Sequence, residues 1–309
     1  MNKKIVINNG VVSTGSGAVT VSGTVMGSNN TVGSPPPMPS ADVPVLHDLP
    51  ASRPIGVITV LPEETKAVLD LFDVGRPDPT IDAKTGVRYY EWTVRDVPVV
   101  VTRTAERANR SAVVAAQNLR AHCDPAMVVV VGIAAGLRVD EPGYSLGDVV
   151  VATEILYYDD RKLELDGDHY RPHELRTHVA VRNAVNAFFT EYGEPFRLSA
   201  ATPDGRGRRS RVHFGKIASG EAVFARGYEG ALEYIRRFDP KVLGVETEAG
   251  GVGQEFMEHP AAEGGPSGWL VVRGFSDDGM GRSDADRATA CKNAAAVLEL
   301  LLPYLQGQR

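Results

Sequence analysis

The sequence predicts an α/β domain with a mixed central sheet flanked by helices, preceded by a β-prone, low-complexity N-terminal segment. Three observations carry this. Beyond about residue 52, short apolar runs alternate with stretches of helical periodicity. One run, "AMVVVVG", is continuously apolar, as in a strand covered on both faces. The first fifty residues differ sharply in composition from everything after them.

Residues 1–33 are rich in Val, Gly, Ser, Thr and Asn and contain no acidic and no aromatic residue. High β-propensity, little charge beyond Lys4, no proline and several Asn able to ladder are features of stacked cross-β assembly. Residues 34–51 are a proline-rich tether, extended and with little tertiary contact. The globular domain is expected over 52–309. "PIGVITV" is its first strand, and "PEETKAVLDLF" a helix with Pro62 in its first turn. "VRYYEWTV" and "VPVVVTR" form a hairpin around Asp96; "NRSAVVAAQNLRAH" is helical; "AMVVVVG" and "GDVVVATEI" are strands. A helix over residues 174–191, the strand "RVHFGKIAS" and the helix "YEGALEYIRRF" follow. The strands "KVLGVE" and "WLVVRGF" and a long terminal helix complete the domain.

At 309 residues and 43% hydrophobic composition the chain buries a full core. A formal charge of −6 gives no global basic field, so nucleic acid and anionic membranes are not expected partners, and an anionic substrate must be met by local arginines. Cys123 and Cys291 lie far apart in helical patterns and read as reduced core thiols. No run approaches the roughly 18–20 apolar residues that span a bilayer, and the N-terminus lacks a signal-peptide core. A cytoplasmic location is the expectation. His169, His173 and His178 match no closed metal-ligand spacing and read as a polar loop. The basic "DGRGRRSR" is a solvated turn or an approach to nucleotide phosphates.

Ligands of open α/β sheets bind at the carboxyl ends of strands. The residues that follow the apolar runs are Glu64; Arg103 and Arg107; the glycine-rich "GIAAGL" beginning at Gly132; "SGEAV" with Val223; Glu246 and Glu248; and Ser276 with Asp277. Two carboxylates at the end of a buried strand, as in "VLGVETEAGGV", are costly unless they face a cleft or a partner.

In order and spacing, "GVITVLPEETKAV", "VVVVGIAAGL", "LGDVVVATEILYYD", "KIASGEAV", "GVETEAGGV" and "VVRGFSDD" resemble the purine nucleoside phosphorylase and methylthioadenosine/adenosylhomocysteine nucleosidase superfamily over about residues 54–303. The resemblance implies a nucleoside phosphorylase-like fold, no metal or organic cofactor, a homo-oligomer, and cleavage of the N-glycosidic bond of a purine nucleoside by water or phosphate. By motif, Asp277 takes the place of the acid that protonates the leaving base. Glu248 takes that of the carboxylate holding the ribose hydroxyls, and Glu64 that of the acid activating water. Val223 falls in the segment that contacts the base through its backbone. Glu246 is either a second sugar contact or a structural hydrogen-bonding group.

Two departures bear on the reaction. Ile133 occupies the position after Gly132 where the family places a hydroxyl that holds phosphate or water, which favours hydrolysis over phosphorolysis. "TRTAERANRSA" replaces a glycine-rich segment and places Arg103 and Arg107 near a helix start, where they would hold phosphates of a nucleotide such as AMP or ATP. The alternatives are a phosphate-dependent phosphorylase and a non-catalytic nucleotide-binding module.

Within residues 1–33, "TVMGSNNTV" resembles amyloid-forming motifs related to RHIM, on Val25, Gly27 and Asn30. That resemblance implies an assembly segment answering an upstream sensor, with nucleotide destruction as the output in an antiviral setting.

Overall fold

A computed structural model of the chain describes residues 53–71, 77–164, 167–198, 210–222, 229–259, 268–279 and 284–306, together with the backbone of 7–8, 11–13 and 18–20. It divides into two units, Met1–Pro50 and Ala51–Arg309. In the first, β1 (Ile7–Asn8), β2 (Val11–Ser13) and β3 (Ala18–Thr20) form an antiparallel meander. Asn8 pairs with Val11 and Ile7 with Val12. Val25, Gly27, Asn30 and the proline-rich tether lie outside the described residues.

The second unit runs β4 (Ile55–Thr59), α1 (Pro62–Leu69), β5 (Thr80–Ile81), β6 (Arg88–Val94), β7 (Val97–Arg103), α2 (Asn109–Cys123), β8 (Met127–Gly136) and β9 (Val149–Tyr157). It continues through β10 (Arg161–Glu164), β11 (Gly167–Tyr170), β12 (His173–Arg176), α3 (Val179–Tyr192), β13 (Phe196–Arg197), β14 (Arg211–Ser219) and α4 (Glu229–Phe238). The last elements are β15 (Val242–Glu246), α5 (Ala249–Glu258), β16 (Trp269–Asp277) and α6 (Asp284–Gln306).

The large sheet has the order β12-β9-β14-β15-β8-β4-β7-β6-β5. It is mixed: β4 is parallel to β7 and β8, whereas β6 and β7 form an antiparallel hairpin through Arg95 and Asp96, both at positive φ. β16 pairs in parallel with β8 and antiparallel with β9, which closes β9, β14, β15, β8 and β16 into a ring. Such closure brings the carboxyl ends of β8, β15 and β16 together.

The continuous apolar runs follow from two covered faces. Along β8, Val129 and Val131 pack in one core cluster with Leu298 and Leu301 of α6, while Val128 and Val130 pack in the other with Ala112, Ala116 and Leu119 of α2. Alternate side chains of a strand point to opposite faces, so every position must be apolar. Burying each Val contributes on the order of 1.5–3 kcal/mol. Cys123 and Cys291 are free thiols on α2 and α6, and burial pushes both up to about 12.

Three expectations are corrected. Residues 173–176 form β12, antiparallel to β9, and the helix begins only at Val179, because the alternating "HELR" inserts Leu175 into the core opposite Ile155. The histidine-bearing stretch is β-structure: β10 pairs with β11, and His169 and His173 lie on strands. The glycine-rich "GIAAG" does not follow its strand but is the second half of β8, paired with β16 through Ala135.

Candidate active site

The carboxyl ends of β4, β8, β15 and β16 meet at one buried cluster of charge. Glu64 is the third residue of α1, after Pro62 at the first helical position, and its side chain turns back on the helix start. Oε2 accepts hydrogen bonds from the Val60 and Leu61 N–H groups, each at 2.8 Å, and Oε1 accepts one from Ile133 N–H at 2.9 Å. Its neighbour Glu63 points elsewhere and pairs with Arg287 at 2.6 Å. The structure thus separates two adjacent acids of equal chemistry.

Arg273, in the middle of β16, is 0% exposed. Nη2 donates to Glu246 Oε2 at 2.5 Å and to Glu248 Oε2 at 3.2 Å, while Nη1 lies 3.7 Å from Glu64 Oε1. Three carboxylates therefore surround one guanidinium, whose Nε and Nη1 have no hydrogen-bond partner. This arginine lies within the motif "VVRGFSDD", where it was given no role; a lone arginine inside an apolar strand was the available signal. Gly132 makes the contact sterically possible. A Cβ there would lie 2.2 Å from Arg273 Nη1 and 2.3 Å from Glu64 Oε1, so the glycine serves the ion cluster through its missing side chain.

Glu246 is buried beneath the start of α5. It accepts hydrogen bonds from Glu248 N–H at 3.0 Å and Ala249 N–H at 2.9 Å, satisfying two of the helix's leading donors. Gly250 N–H donates to Ser219 Oγ at 3.0 Å and Gly251 N–H to Asn109 Oδ1 at 2.7 Å, satisfying two more. Asn109 Nδ2 donates in turn to Gly220 O at 2.9 Å and Glu221 Oε1 at 3.0 Å, so this one amide joins α2, the end of β14 and α5. These contacts make Glu246 a hydrogen-bonding support of the helix start. Asn109 and Ser219 were missed because their partners are distant in sequence.

Glu248 stands at the N-cap of α5. Oε1 accepts from Thr247 Oγ1 at 2.6 Å and from Ala108 N–H at 3.2 Å. Asp277 ends β16, where a bulge between Phe275 and Asp277 offsets the pairing with β8. Bulges re-aim side chains. Here Ser276 Oγ donates to Asp277 Oδ2 at 2.8 Å, and Gly279 N–H donates to Oδ1 at 2.9 Å. Glu64 contacts Ile133 and Asp277 pairs with Ala135, two positions further along the same strand.

Burial pushes the Glu64 carboxyl above the usual carboxylate range, against the opposing pull of Arg273 and its three backbone donors. Glu246 is raised for the same reason, Arg273 again opposing and the nearby Glu248 adding to the shift.

Arg103 ends β7 beside Thr59, and Arg107 precedes α2; both are exposed and make no hydrogen bond or ion pair with described residues. Val223 lies outside the described residues, as do residues 204–209 of the basic segment; Arg211 is bonded to Gly143 O. His178 Nδ1 accepts from Ala180 N–H at 3.3 Å, a helix-capping contact. Among the described residues no group of three or more His, Cys, Asp or Glu is arranged to hold a metal ion.

The model of the phosphorylase superfamily matches residues 54–302. ATP nucleosidase Cap17 of Escherichia coli is 27% identical over 266 residues, covering 81% of this chain and 50% of its own length. The chain thus spans about half the length of the curated relatives it matches. Among solved structures, the methylthioadenosine/adenosylhomocysteine nucleosidase of S. pneumoniae, with a transition-state inhibitor, superposes with a TM-score of 0.60 at 22% identity, covering 81% of this chain and 99% of that one. Futalosine hydrolase of Helicobacter pylori gives 0.60 at 16% identity, covering 82% and 98%. Both likenesses are of fold.

Proposed function

The chain belongs to the phosphorylase superfamily, and from that premise we propose that it hydrolyses the N-glycosidic bond of a purine nucleoside or nucleotide. The observation that carries this is the excess of carboxylate over cation at the strand ends, with Asp277 two strand positions away. Breaking a ribosyl C–N bond develops positive charge on the sugar and negative charge on the base, which calls for fixed anions at one and a proton donor at the other. Water attacks C1′ as the C1′–N9 bond breaks and its electron pair departs with the purine. Glu64 takes the proton from the water, its basicity increased by burial. Asp277 gives a proton to N7, oriented by the Ser276 hydroxyl and Gly279 N–H. Glu248 accepts hydrogen bonds from the ribose hydroxyls. Glu246 and Arg273 hold Glu248, Gly132 keeps Glu64 against Arg273, Val223 meets the base through its backbone, and Arg103 and Arg107 hold phosphate attached to the substrate.

Water is favoured over phosphate as acceptor because Ile133 has no hydroxyl and its N–H is already bonded to Glu64. The likeness to an ATP nucleosidase supports a nucleotide substrate. Chromatography of products from adenosine, methylthioadenosine, AMP and ATP, with and without phosphate, tests the reading. Phosphate-independent adenine release that falls by about 10²–10⁴-fold in Asp277→Asn is expected. Strict phosphate dependence with ribose 1-phosphate as product would establish the phosphorylase instead.

No helix among the described residues is long and apolar enough to cross a membrane. By the family resemblance we propose a homo-oligomer, working in the cytoplasm. The N-terminal segment, whose described part is already a β-meander, is proposed to assemble and to link the enzyme to an upstream antiviral sensor. A peptide of residues 5–33 is expected to form fibrils; a peptide that stays monomeric, with activity unchanged by its deletion, refutes this.

A further inference from the structure

Beside the two arginines placed on phosphate above, the turn between β7 and α2 carries two features that the site chemistry leaves without explanation. Ala108 adopts φ 94° and ψ 157°, a region populated almost only by glycine, and a non-glycine residue there costs on the order of 1–3 kcal/mol. Its N–H nonetheless reaches Glu248 Oε1 at 3.2 Å. Thr104 is 2% exposed, and its Oγ1 has no hydrogen-bond partner, although its own N–H is bonded to Thr59 O at 2.9 Å. An orphaned buried hydroxyl costs about 1–3 kcal/mol and calls for a reason. Arg103 and Arg107 flank these two residues, exposed and without partners among the described residues.

The turn is anchored at both ends. Thr104 is tied to Thr59, one residue before the Val60 N–H that holds Glu64. Asn109 is fixed by its bonds to Gly220, Gly251 and Ser219. Between these anchors the segment is tied to the start of α2, where Glu106 N–H donates to Ser111 Oγ at 3.0 Å and Ala108 O accepts from Ser111 N–H at 3.1 Å, and Ala108 N–H holds the proposed ribose carboxylate. Cations, orphan donor and strained link to Glu248 thus lie on one six-residue segment, 103–108.

We propose that this turn reads phosphate attached to the substrate and transmits its presence to the ribose site. Arg103, Arg107 and the Thr104 hydroxyl take phosphate oxygens, and the occupied turn holds Ala108 N–H on Glu248 in the bond-breaking geometry. Phosphate therefore raises kcat rather than only lowering KM, which makes Ala108 a positioning residue and the segment a selector for nucleotides over nucleosides. Binding energy from a remote group acts in this way when it is realised in the transition state. The inference rests on the hydrolytic reading above.

The test measures kcat and KM for adenosine, AMP and ATP by adenine release, using the full chain, Arg107→Gln, Thr104→Val and Ala108→Gly. The expected kcat ratio of ATP to adenosine is about tenfold or more in the natural chain and falls by about tenfold in Arg107→Gln. Thr104→Val lowers the ratio too. Ala108→Gly lowers kcat for ATP while the melting temperature rises or holds, because glycine removes strain but loosens the link. A melting temperature that rises in Thr104→Val with the ratio unchanged overturns the hydroxyl's role in the turn. Equal kcat for ATP and adenosine, with differences confined to KM, overturns the inference and leaves the hydrolytic reading standing. Absence of adenine from every substrate overturns the hydrolytic reading, and this inference with it.

Discussion

Lys216 and Arg273 each sit among three carboxylates in the same sheet, and the two clusters behave in opposite ways. Lys216 lies 3.2 Å from Glu154, 2.5 Å from Glu174 and 2.8 Å from Asp239, and its acids keep partial contact with solvent. Burial works against its charge, yet the acids hold its ammonium above the ordinary lysine value, while hydrogen bonds from Lys216 and Arg176 hold Glu174 below the usual carboxylate range. Around Arg273, the groups are shut away from water: Glu64 and Glu246 move upward, and two guanidinium donors stay unpaired. Equal charge ratios therefore yield a relaxed structural pin in one place and a frustrated cluster in the other. Solvent access decides which, because the desolvation cost of buried charge exceeds what one cation offsets. Unresolved electrostatics of this kind is characteristic of sites that perform chemistry.

The largest expected effect comes from removing the cation of the buried cluster. Arg273→Met leaves three carboxylates without a counter-charge and is expected to cost about 3–5 kcal/mol in urea unfolding at pH 7. Adenine release should be lost in parallel; full activity with native stability would break the comparison. Gly132→Ala is next, because its Cβ must displace Arg273 or Glu64 in a closed space, at a cost of about 1–3 kcal/mol. Lys216→Met is expected to cost about 1 kcal/mol, since its partly solvated acids can turn to water, and its turnover should match that of the natural chain. An equal or larger loss than for Arg273→Met would show that solvent access does not distinguish the clusters.

The smallest effect is a slope. Glu64 and Glu246 have folded-state pKa values above the ordinary 4.5, so the folded chain binds more protons than the unfolded one between the two values. Their contribution favours folding below about pH 4.5 and is lost as pH rises through the folded values. In Glu64→Gln, the decline of the urea midpoint from pH 5 upward is expected to be shallower. A steeper decline contradicts the upward shift.

Most of the strands were legible because burial on both faces writes itself as unbroken apolar runs, as in β8. Short strands were not. Thr80–Ile81 and Phe196–Arg197 contain two residues each, too few to show a period, and Leu175 is a single buried position in the polar β12. The acids of the site were visible as polar residues at strand ends. Their counter-cation could be noticed as a lone arginine in an apolar strand, but its role could not, since its three partners come from α1, β15 and the α5 N-cap.

By itself, the sequence determined the α/β alternation, the sharp change of composition after the first fifty residues, and the succession of motifs that places the chain in its superfamily. These are local or ordered properties, carried by periodicity, composition and spacing. Only the tertiary structure decided that Glu63 turns away to Arg287, that Gly132 is needed for what it lacks, and that Ala108 is strained against Glu248. Each depends on a distance between groups remote in the chain, and ring closure through β16 fixes many of those distances at once.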